Sequence, residues 1–246
     1  YKEDPETSLK ILDAVISTKV ECFVFCDTNG GTLPSEVHEI ISEIISKYPK
    51  ANFGVHFQND NGCAVANSMV AVDLGVNHVQ GTINGYGERT GNADLCTLIP
   101  NLTLKKGYQT ISERSLGQLT QTANHIAELV NVAIDSRHPY VGSSAFTHKA
   151  GLHASGMAKD SSLYEHIDSA AVGNFTRTTV SELAGRASVL TKAEEFGLEF
   201  NNDDAKKLIE EVQNLEHMGY QFEAADGSLF ISVSYTHLTL PTRLLV

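Results

Sequence analysis

The sequence predicts an α/β protein built on a parallel sheet. Apolar runs of strand length alternate with segments of helical spacing, and each run ends in polar residues and glycines. The runs are Cys22–Cys26, Asn52–Phe57 and His78–Ile83. Such alternation favours parallel strands joined by right-handed crossovers, so all three polar clusters are expected at one carboxyl edge, where α/β proteins build their sites. The pattern fits the second half of a (β/α)8 barrel, although alternation alone does not exclude an open sheet.

Apolar residues at helical spacing predict helices around these strands. The helices are expected over Pro5–Thr18, Leu33–Tyr48, Ala64–Leu74 and about Ala93–Asn101. Asp4 is expected to cap the first helix, with Pro5 in its first turn. The continuous apolar run Cys22–Cys26 is typical of a strand buried on both faces.

The character of the chain changes after about residue 106. Further helices are expected over Leu116–Val130, Val180–Glu195 and Asp203–Met218, without strand alternation. We therefore expect three parts: residues 1–108 from a barrel, 109–231 mainly α-helical, and 232–246 a non-native tail. The missing initiator Met and the irregular last residues also predict a chain truncated at both ends.

Composition excludes several classes of function. The net charge is -12, with 18 Lys and Arg against 30 Asp and Glu, so the chain lacks the basic surface that nucleic acids require. We see neither an apolar run long enough to span a membrane nor a signal peptide, which predicts a cytoplasmic protein with no membrane partner. The four cysteines form no CxxC pair and are expected to be reduced and buried.

The stretch Phe53–Gly62 is the most informative part of the sequence. An apolar run ends abruptly in His56, Gln58, Asn59 and Asp60, just before a helix. Alternation along a strand would point His56 and Gln58 the same way, with Cα atoms about 7 Å apart. Imidazole is a common ligand of divalent metals, and carboxylate or amide oxygens complete such shells. A hydrogen-bonded histidine in a strand-to-helix turn is the alternative.

Two further segments carry candidate chemistry. The loop Asn84–Asn92 places three glycines around Glu88 and Arg89. Those two residues would form either a buried functional pair or the charges of a tight, water-facing loop. His148 and His153 are five residues apart and would not share a helix face. One of them is a candidate general base, against ordinary surface or core histidines.

The segments Gly54–Asn67, Gln80–Asn92 and Phe146–His153 together resemble the homocitrate/2-isopropylmalate/citramalate synthase family. The resemblance runs from residue 1 to about residue 230. Three shorter segments look most like the (R)-citramalate synthase branch. They are Asn84–Arg89, Leu98–Leu102 and Gly219–Ala225.

The resemblance implies the last three strands of a TIM barrel, followed by a helical linker region. It also implies a divalent metal (Zn, Mn or Mg) that holds a 2-oxo acid, with acetyl-CoA as co-substrate. In the citramalate branch the 2-oxo acid is pyruvate, and the product belongs to isoleucine biosynthesis. A metal that polarises a carbonyl and a base that deprotonates a thioester are the chemistry such a condensation needs.

The resemblance also implies site residues, position by position. The metal ligands would be His56, Gln58 and Asn92, the substrate-binding residues Thr28, Asn84, Glu88 and Arg89, and the catalytic residues His153 and Tyr164. Gln58 departs from the family's His-x-His motif, and a glutamine oxygen binds zinc or manganese more weakly than imidazole. The linker residues reach the partner's barrel in this family, which implies a homodimer.

Other functions remain open. A 2-isopropylmalate synthase (leucine biosynthesis) and a homocitrate synthase are the nearest alternatives. The family's Arg-Asp pair and glutamate on earlier strands have no counterpart here, so the chain by itself is expected to be an inactive fragment. A related retro-aldol lyase is disfavoured, because Asn84–Gly87 stands where those lyases carry a cysteine loop.

Overall fold

The computed structural model describes residues 1–18, 20–148 and 163–178, with 206, 207, 209, 210, 213, 214 and 217–219. The chain divides into two compact units, Tyr1–Ile134 and Asp135–Val246. The division predicted after residue 108 stays a prediction about domains. In the part of the chain that is described, no helix is both long and apolar enough to cross a membrane.

The first unit holds a three-stranded parallel sheet in the order β1-β2-β3. Its strands are β1 (Phe23–Asp27), β2 (Phe53–Phe57) and β3 (His78–Gln80). Its α-helices are α1 (Pro5–Val15), α2 (Pro34–Lys47), α3 (Ala64–Asp73), α4 (Leu95–Pro100), α5 (Glu113–Leu116) and α6 (Leu119–Val130). A 3-10 turn (Ile83–Gly85) and a π-helix (Asn101–Lys105) complete the unit. The predicted α/β class and the parallel sheet are confirmed.

Local sequence signals explain where the first helices begin. Asp4 accepts a hydrogen bond from Thr7 N at 2.9 Å, with Pro5 in the first turn of α1 as expected. At the start of α2, Glu36 reaches back to accept from Leu33 N at 2.8 Å. Both helices therefore satisfy backbone N–H groups that would otherwise lack partners.

The core lies between one face of the sheet and α2 and α3. Phe53, Val55 and Phe57 alternate along β2 and point into this core. Ile44 of α2 and Ala71 of α3 are fully buried against them. Since β2 has period two, His56 projects from the opposite face, in register with Cys26 of β1 and Gln80 of β3.

Two expectations about the strands are wrong in detail. β1 is half-exposed rather than buried on both faces, and Cys26 is exposed, because β1 pairs with β2 on one side in the described sheet. Of the four cysteines, Cys96 alone is buried. β3 ends at Gln80, not Ile83, because Thr82 N turns to donate to Ala93 O at 3.0 Å.

The described part of the second unit contains strands that the sequence did not predict. β4 (Thr147–His148) and β5 (Arg177–Thr178) form a two-stranded parallel sheet, with a 3-10 turn at Ser169–Val172. Strands of two residues are too short to show alternation. The predicted helix Val180–Glu195 lies outside the described residues, and within Asp203–Met218 the described residues from 206 to 217 are helical.

Candidate functional site

The loops that follow the three strands of the first unit are tied together by one side chain. Arg89 donates through Nε to Asp60 Oδ1 at 2.7 Å and through Nη2 to Asp60 Oδ2 at 3.0 Å. The same Nη2 donates to Thr28 O at 2.7 Å. The loops after β1, β2 and β3 thus meet at the carboxyl edge, as the three polar clusters led us to expect.

Gln58 and Asn92, two of the three predicted metal ligands, lie directly opposite each other. They form an isolated antiparallel bridge just beyond the end of β2. Hydrogen bonds flank it on both sides, from Asn59 N to Gly91 O at 2.9 Å and from Ala93 N to Phe57 O at 3.0 Å. A bridge flanked in this way brings two Cα atoms to about 4.5 Å, with side chains on the same side.

The amide oxygens of this pair have no hydrogen-bond partner. Gln58 Oε1 and Asn92 Oδ1 are both buried and unpaired within the described structure. The orientation of the Asn92 amide follows from its other end, since Nδ2 donates to Tyr86 O at 3.1 Å. Buried acceptors are nearly always satisfied in folded proteins, so two exceptions on facing residues call for a partner, which a bound cation that accepts their lone pairs would supply.

His56 completes the set that the sequence proposed. It is half-buried and lies two residues before Gln58, on the same side of β2. Among the described residues, no group of three or more His, Cys, Asp or Glu side chains could hold a metal ion. The three residues proposed from the sequence would offer one imidazole and two amide oxygens. The two unpaired buried oxygens fit a divalent cation of the oxygen-binding type.

Glu88 and Arg89 do not form the buried pair that was one alternative. The Glu88 side chain is 77% exposed, and its Oε2 lies 3.7 Å from Arg89 Nη1. Arg89 is committed instead to Asp60, and this bond holds the pKa of the Asp60 carboxyl below its usual value. The charges belong to a tight, water-facing loop. A substrate-binding role for either residue stays a prediction.

Asn84 and Thr28 occupy different parts of the edge. The Asn84 amide donates to Ala123 O of α6 at 2.9 Å, while its oxygen accepts from Cys96 Sγ at 3.5 Å. The Asn84 backbone is left-handed, at φ 59°. Thr28 is exposed, with its carbonyl held by Arg89. The structure brings Thr28 near the strand-end loops and turns Asn84 toward α6.

In the second unit, His148 belongs to a paired network. Its Nε2 lies 3.2 Å from Glu165 Oε1, which also accepts from Thr176 Oγ1 at 2.6 Å. The His148 and Glu165 side chains are 14% and 8% exposed. His148 is therefore held in a largely buried hydrogen-bond network, and a role as general base stays a prediction. Tyr164, the neighbour of Glu165, is 40% exposed, whereas His153 lies outside the described residues.

Comparison with known families now adds to this geometry. Residues 1–126 match the family model described as HMGL-like, which is more than half of the 246-residue chain. The chain belongs to the HMGL-like family. Residues 140–219 match a second model, described as Homocitrate synthase post-HMGL domain-like. The family resemblance inferred from the motifs is confirmed. The parallel sheet of this HMGL-like chain is consistent with part of a TIM barrel.

Curated relatives of this HMGL-like chain include two (R)-citramalate synthases. That of Aquifex aeolicus is 48% identical over 231 residues, 93% of this chain and 44% of its own length. That of Geobacter sulfurreducens is 45% identical over 230 residues, 93% of this chain and 43% of its own length. The chain thus spans under half the length of these relatives.

Two more distant similarities complete the comparison. A 2-isopropylmalate synthase of Parasynechococcus marenigrum is 31% identical over 230 residues, 87% of this chain and 43% of its own length. Among solved structures, an HMG-CoA lyase from Bacillus subtilis aligns at 22% identity with a TM-score of 0.48, covering 54% of this chain and 45% of that one.

Sequence reasoning gave no individual role to two residues of this edge, although Asp60 was named in the polar cluster after β2. Asp60 stood inside an Asn-Asp-Asn-Gly turn, and its pairing with Arg89 spans 29 positions. Asn67 of α3 is fully buried; it donates to Thr32 O at 2.7 Å, and its own Oδ1 has no partner among the described residues. An asparagine in the middle of an apolar helix was the available signal for Asn67.

Proposed function

We propose that this chain is part of an enzyme that condenses acetyl-CoA with a 2-oxo acid, with pyruvate giving (R)-citramalate for isoleucine biosynthesis. The observation that carries the proposal is the Gln58–Asn92 pair, with two buried amide oxygens lacking partners at the carboxyl edge. Similarity to curated (R)-citramalate synthases supports the choice of reaction.

The residues that would hold the metal in this proposal are His56, Gln58 and Asn92. A divalent cation bound there would polarise the keto group of the 2-oxo acid and stabilise the developing alkoxide charge. Two of the three donors are amide oxygens, which suit Mg²⁺ and Mn²⁺ better than Zn²⁺. Of the three metals that the resemblance implies, we therefore favour the two oxygen-binding ones.

The other roles follow the resemblance. Thr28 binds the carboxylate of the 2-oxo acid from a loop whose backbone Arg89 holds at 2.7 Å. His153 and Tyr164 assist the deprotonation of acetyl-CoA, and Tyr164 is exposed as that role requires. The match of residues 140–219 to the homocitrate synthase model supports a linker of this type, acting within a homodimer. Leucine-forming 2-isopropylmalate synthase activity is the second candidate, supported by a relative of that name.

A chimaera tests this proposal. Residues 1–231 of the chain would replace the matching segment of the Aquifex aeolicus (R)-citramalate synthase, to which they are 48% identical. We expect the chimaera to release CoA from acetyl-CoA when pyruvate and Mn²⁺ are present, and the 246-residue chain by itself to release none. A 2-oxoisovalerate assay in parallel checks the leucine alternative.

Matched variants give this test its control. Asn92→Ala in the chimaera should abolish CoA release, while Gln121→Leu, at an exposed position of α6, should leave it unchanged. A folded, dimeric chimaera that binds Mn²⁺ but releases no CoA with either 2-oxo acid would overturn the proposed reaction.

A further inference from the structure

The ion pair between Asp60 and Arg89 fixes the relative orientation of the two side chains. Arg89 presents two adjacent nitrogens to the two oxygens of Asp60, at 2.7 and 3.0 Å. Paired hydrogen bonds of this kind fix the relative orientation of both groups, which a single contact does not. The third bond, from Nη2 to Thr28 O, extends the same guanidinium to a third loop.

The backbone around the pair is shaped to accommodate it. Arg89 has φ 56°, a left-handed conformation that non-glycine residues rarely adopt without support from their surroundings. Gly30 has φ 72°, and a Cβ at that position would collide with Asp60 Oδ2. Gly30 O in turn accepts from Asn61 N at 3.1 Å. The loop after β1 therefore packs directly on the Asp60 carboxylate.

The pair lies beside the two unpaired amides. Asp60 follows Gln58 by two residues, and Arg89 precedes Asn92 by three. The intervening backbone is closed by the Asn59–Gly91 and Ala93–Phe57 hydrogen bonds at 2.9 and 3.0 Å. The ion pair thus closes the open end of the segment in which Gln58 faces Asn92.

We propose that Asp60 and Arg89 are positioning residues that keep the side chains of Gln58 and Asn92 paired across their bridge. They act through those side chains and do not touch the bound cation. The expected effect of this pair on metal affinity rests on the function proposed above. Its expected effect on the Gln58–Asn92 bridge does not. Arg89 would accordingly serve the site from outside it, rather than by contacting substrate.

Two variants test the geometry of the pair. Arg89→Lys keeps the charge but loses the paired hydrogen bonds, and Asp60→Asn keeps the shape but loses the charge. The control is Asp73→Asn, which breaks another ion pair between elements, with Lys106 at 2.7 Å. Asp73 and Lys106 are 49% and 38% exposed, against 25% and 40% for Asp60 and Arg89.

The first readout is amide hydrogen exchange in the metal-free chain. We expect Arg89→Lys and Asp60→Asn to reduce the protection of Ala93 N, which closes the bridge, while the protection of Val55 N in the core is retained. Asp73→Asn should change neither amide. Unchanged protection of Ala93 in both variants, or an equal loss at Val55, would overturn the proposal, because the pair would then be either irrelevant or merely stabilising.

The second readout is Mn²⁺ affinity of the same chains. Partners that orient metal ligands typically contribute 10- to 100-fold in affinity, so we expect a loss of about tenfold in each variant and none in the control. Wild-type binding with no difference between variants would contradict the positioning role and leave the metal site intact. Absence of wild-type binding would contradict the metal site, while the exchange result would still decide the role of the pair.

Discussion

Two regions of the first unit differ in their polar atoms: the core between the sheet and helices α2 and α3, and the loops at the carboxyl edge of the sheet. In the core, Ile44, Val55 and Ala71 are fully buried and carry no polar side-chain atoms. At the edge, Gln58 and Asn92 bury two oxygens without partners, and Asn84 and Arg89 adopt left-handed backbone. Unpaired acceptors and strain both cost stability. The core thus stabilises a fold whose edge carries unpaired acceptors and left-handed backbone.

The largest effect on stability should come from the core. Ile44→Ala removes a fully buried side chain between α2 and the sheet, and should lower the free energy of unfolding by about 2–5 kcal/mol. Urea denaturation of both proteins measures this loss. Ile40→Ala, at a partly buried position of the same helix, should lose less. Equal losses for Ile44→Ala and Ile40→Ala would contradict the deeper burial of Ile44 between α2 and the sheet.

A glycine substitution at the edge should cost less than the core change. Gly91 has φ 89°, and a Cβ there would collide with Gly85 O. We expect Gly91→Ala to lower the free energy of unfolding by about 2–3 kcal/mol. Gly62 has φ 75° with open space around it, so Gly62→Ala should cost only about 1 kcal/mol. Thermal or urea unfolding of the two variants measures both losses. The difference between them gives the cost of the collision beyond that of the left-handed backbone.

Removing an unpaired oxygen should reverse the sign of the effect. Gln58→Leu eliminates a buried acceptor without a partner, and should raise the free energy of unfolding by up to about 1 kcal/mol. The same change should weaken Mn²⁺ binding by about tenfold or more. Gln121→Leu, at an exposed position of α6, should alter neither quantity. A lower free energy of unfolding for Gln58→Leu would mean that Gln58 Oε1 has a hydrogen-bond partner in solution, which would contradict an unpaired acceptor at the edge.

The smallest expected effect is a difference in thiol reactivity between an exposed and a buried cysteine. Cys26 is exposed beside the open face of the sheet, whereas Cys96 is fully buried, and burial raises the pKa of its thiol to about 12. We expect a thiol reagent at pH 8 to modify Cys26 rapidly and Cys96 only after unfolding. Rapid modification of Cys96 in the folded chain would contradict its burial.

The raised pKa of Cys96 also sets a pH dependence. The unfolded thiol ionises near pH 8.5, whereas the folded thiol stays neutral to about pH 12. The contribution of the buried thiol to stability is therefore complete below about pH 8.5 and declines as the pH rises toward about 12. Urea unfolding at pH 7 and pH 10 should show a smaller decrease for Cys96→Ala than for the wild-type chain.

The sequence predicts the parts of this molecule that depend on local patterns. Strand and helix alternation, the Asp4 cap and the polar strand ends all follow from spacing and residue type. The Gln58–Asn92 bridge does not, because it needs left-handed backbone at Gly85 and Gly91 to turn the loop back onto β2. The Asp60–Arg89 bond joins residues 29 positions apart, which no local pattern encodes.

The most direct test of the central claim is Mn²⁺ binding to the 246-residue chain. Titration followed by electron paramagnetic resonance should show one saturable site in the wild-type chain. Asn92→Ala and Gln58→Leu should each weaken it by about tenfold or more. Gln58→His should shift preference from Mn²⁺ toward Zn²⁺, as imidazole replaces an amide oxygen. Equal binding by all variants, or no binding by the wild-type chain, would contradict the account.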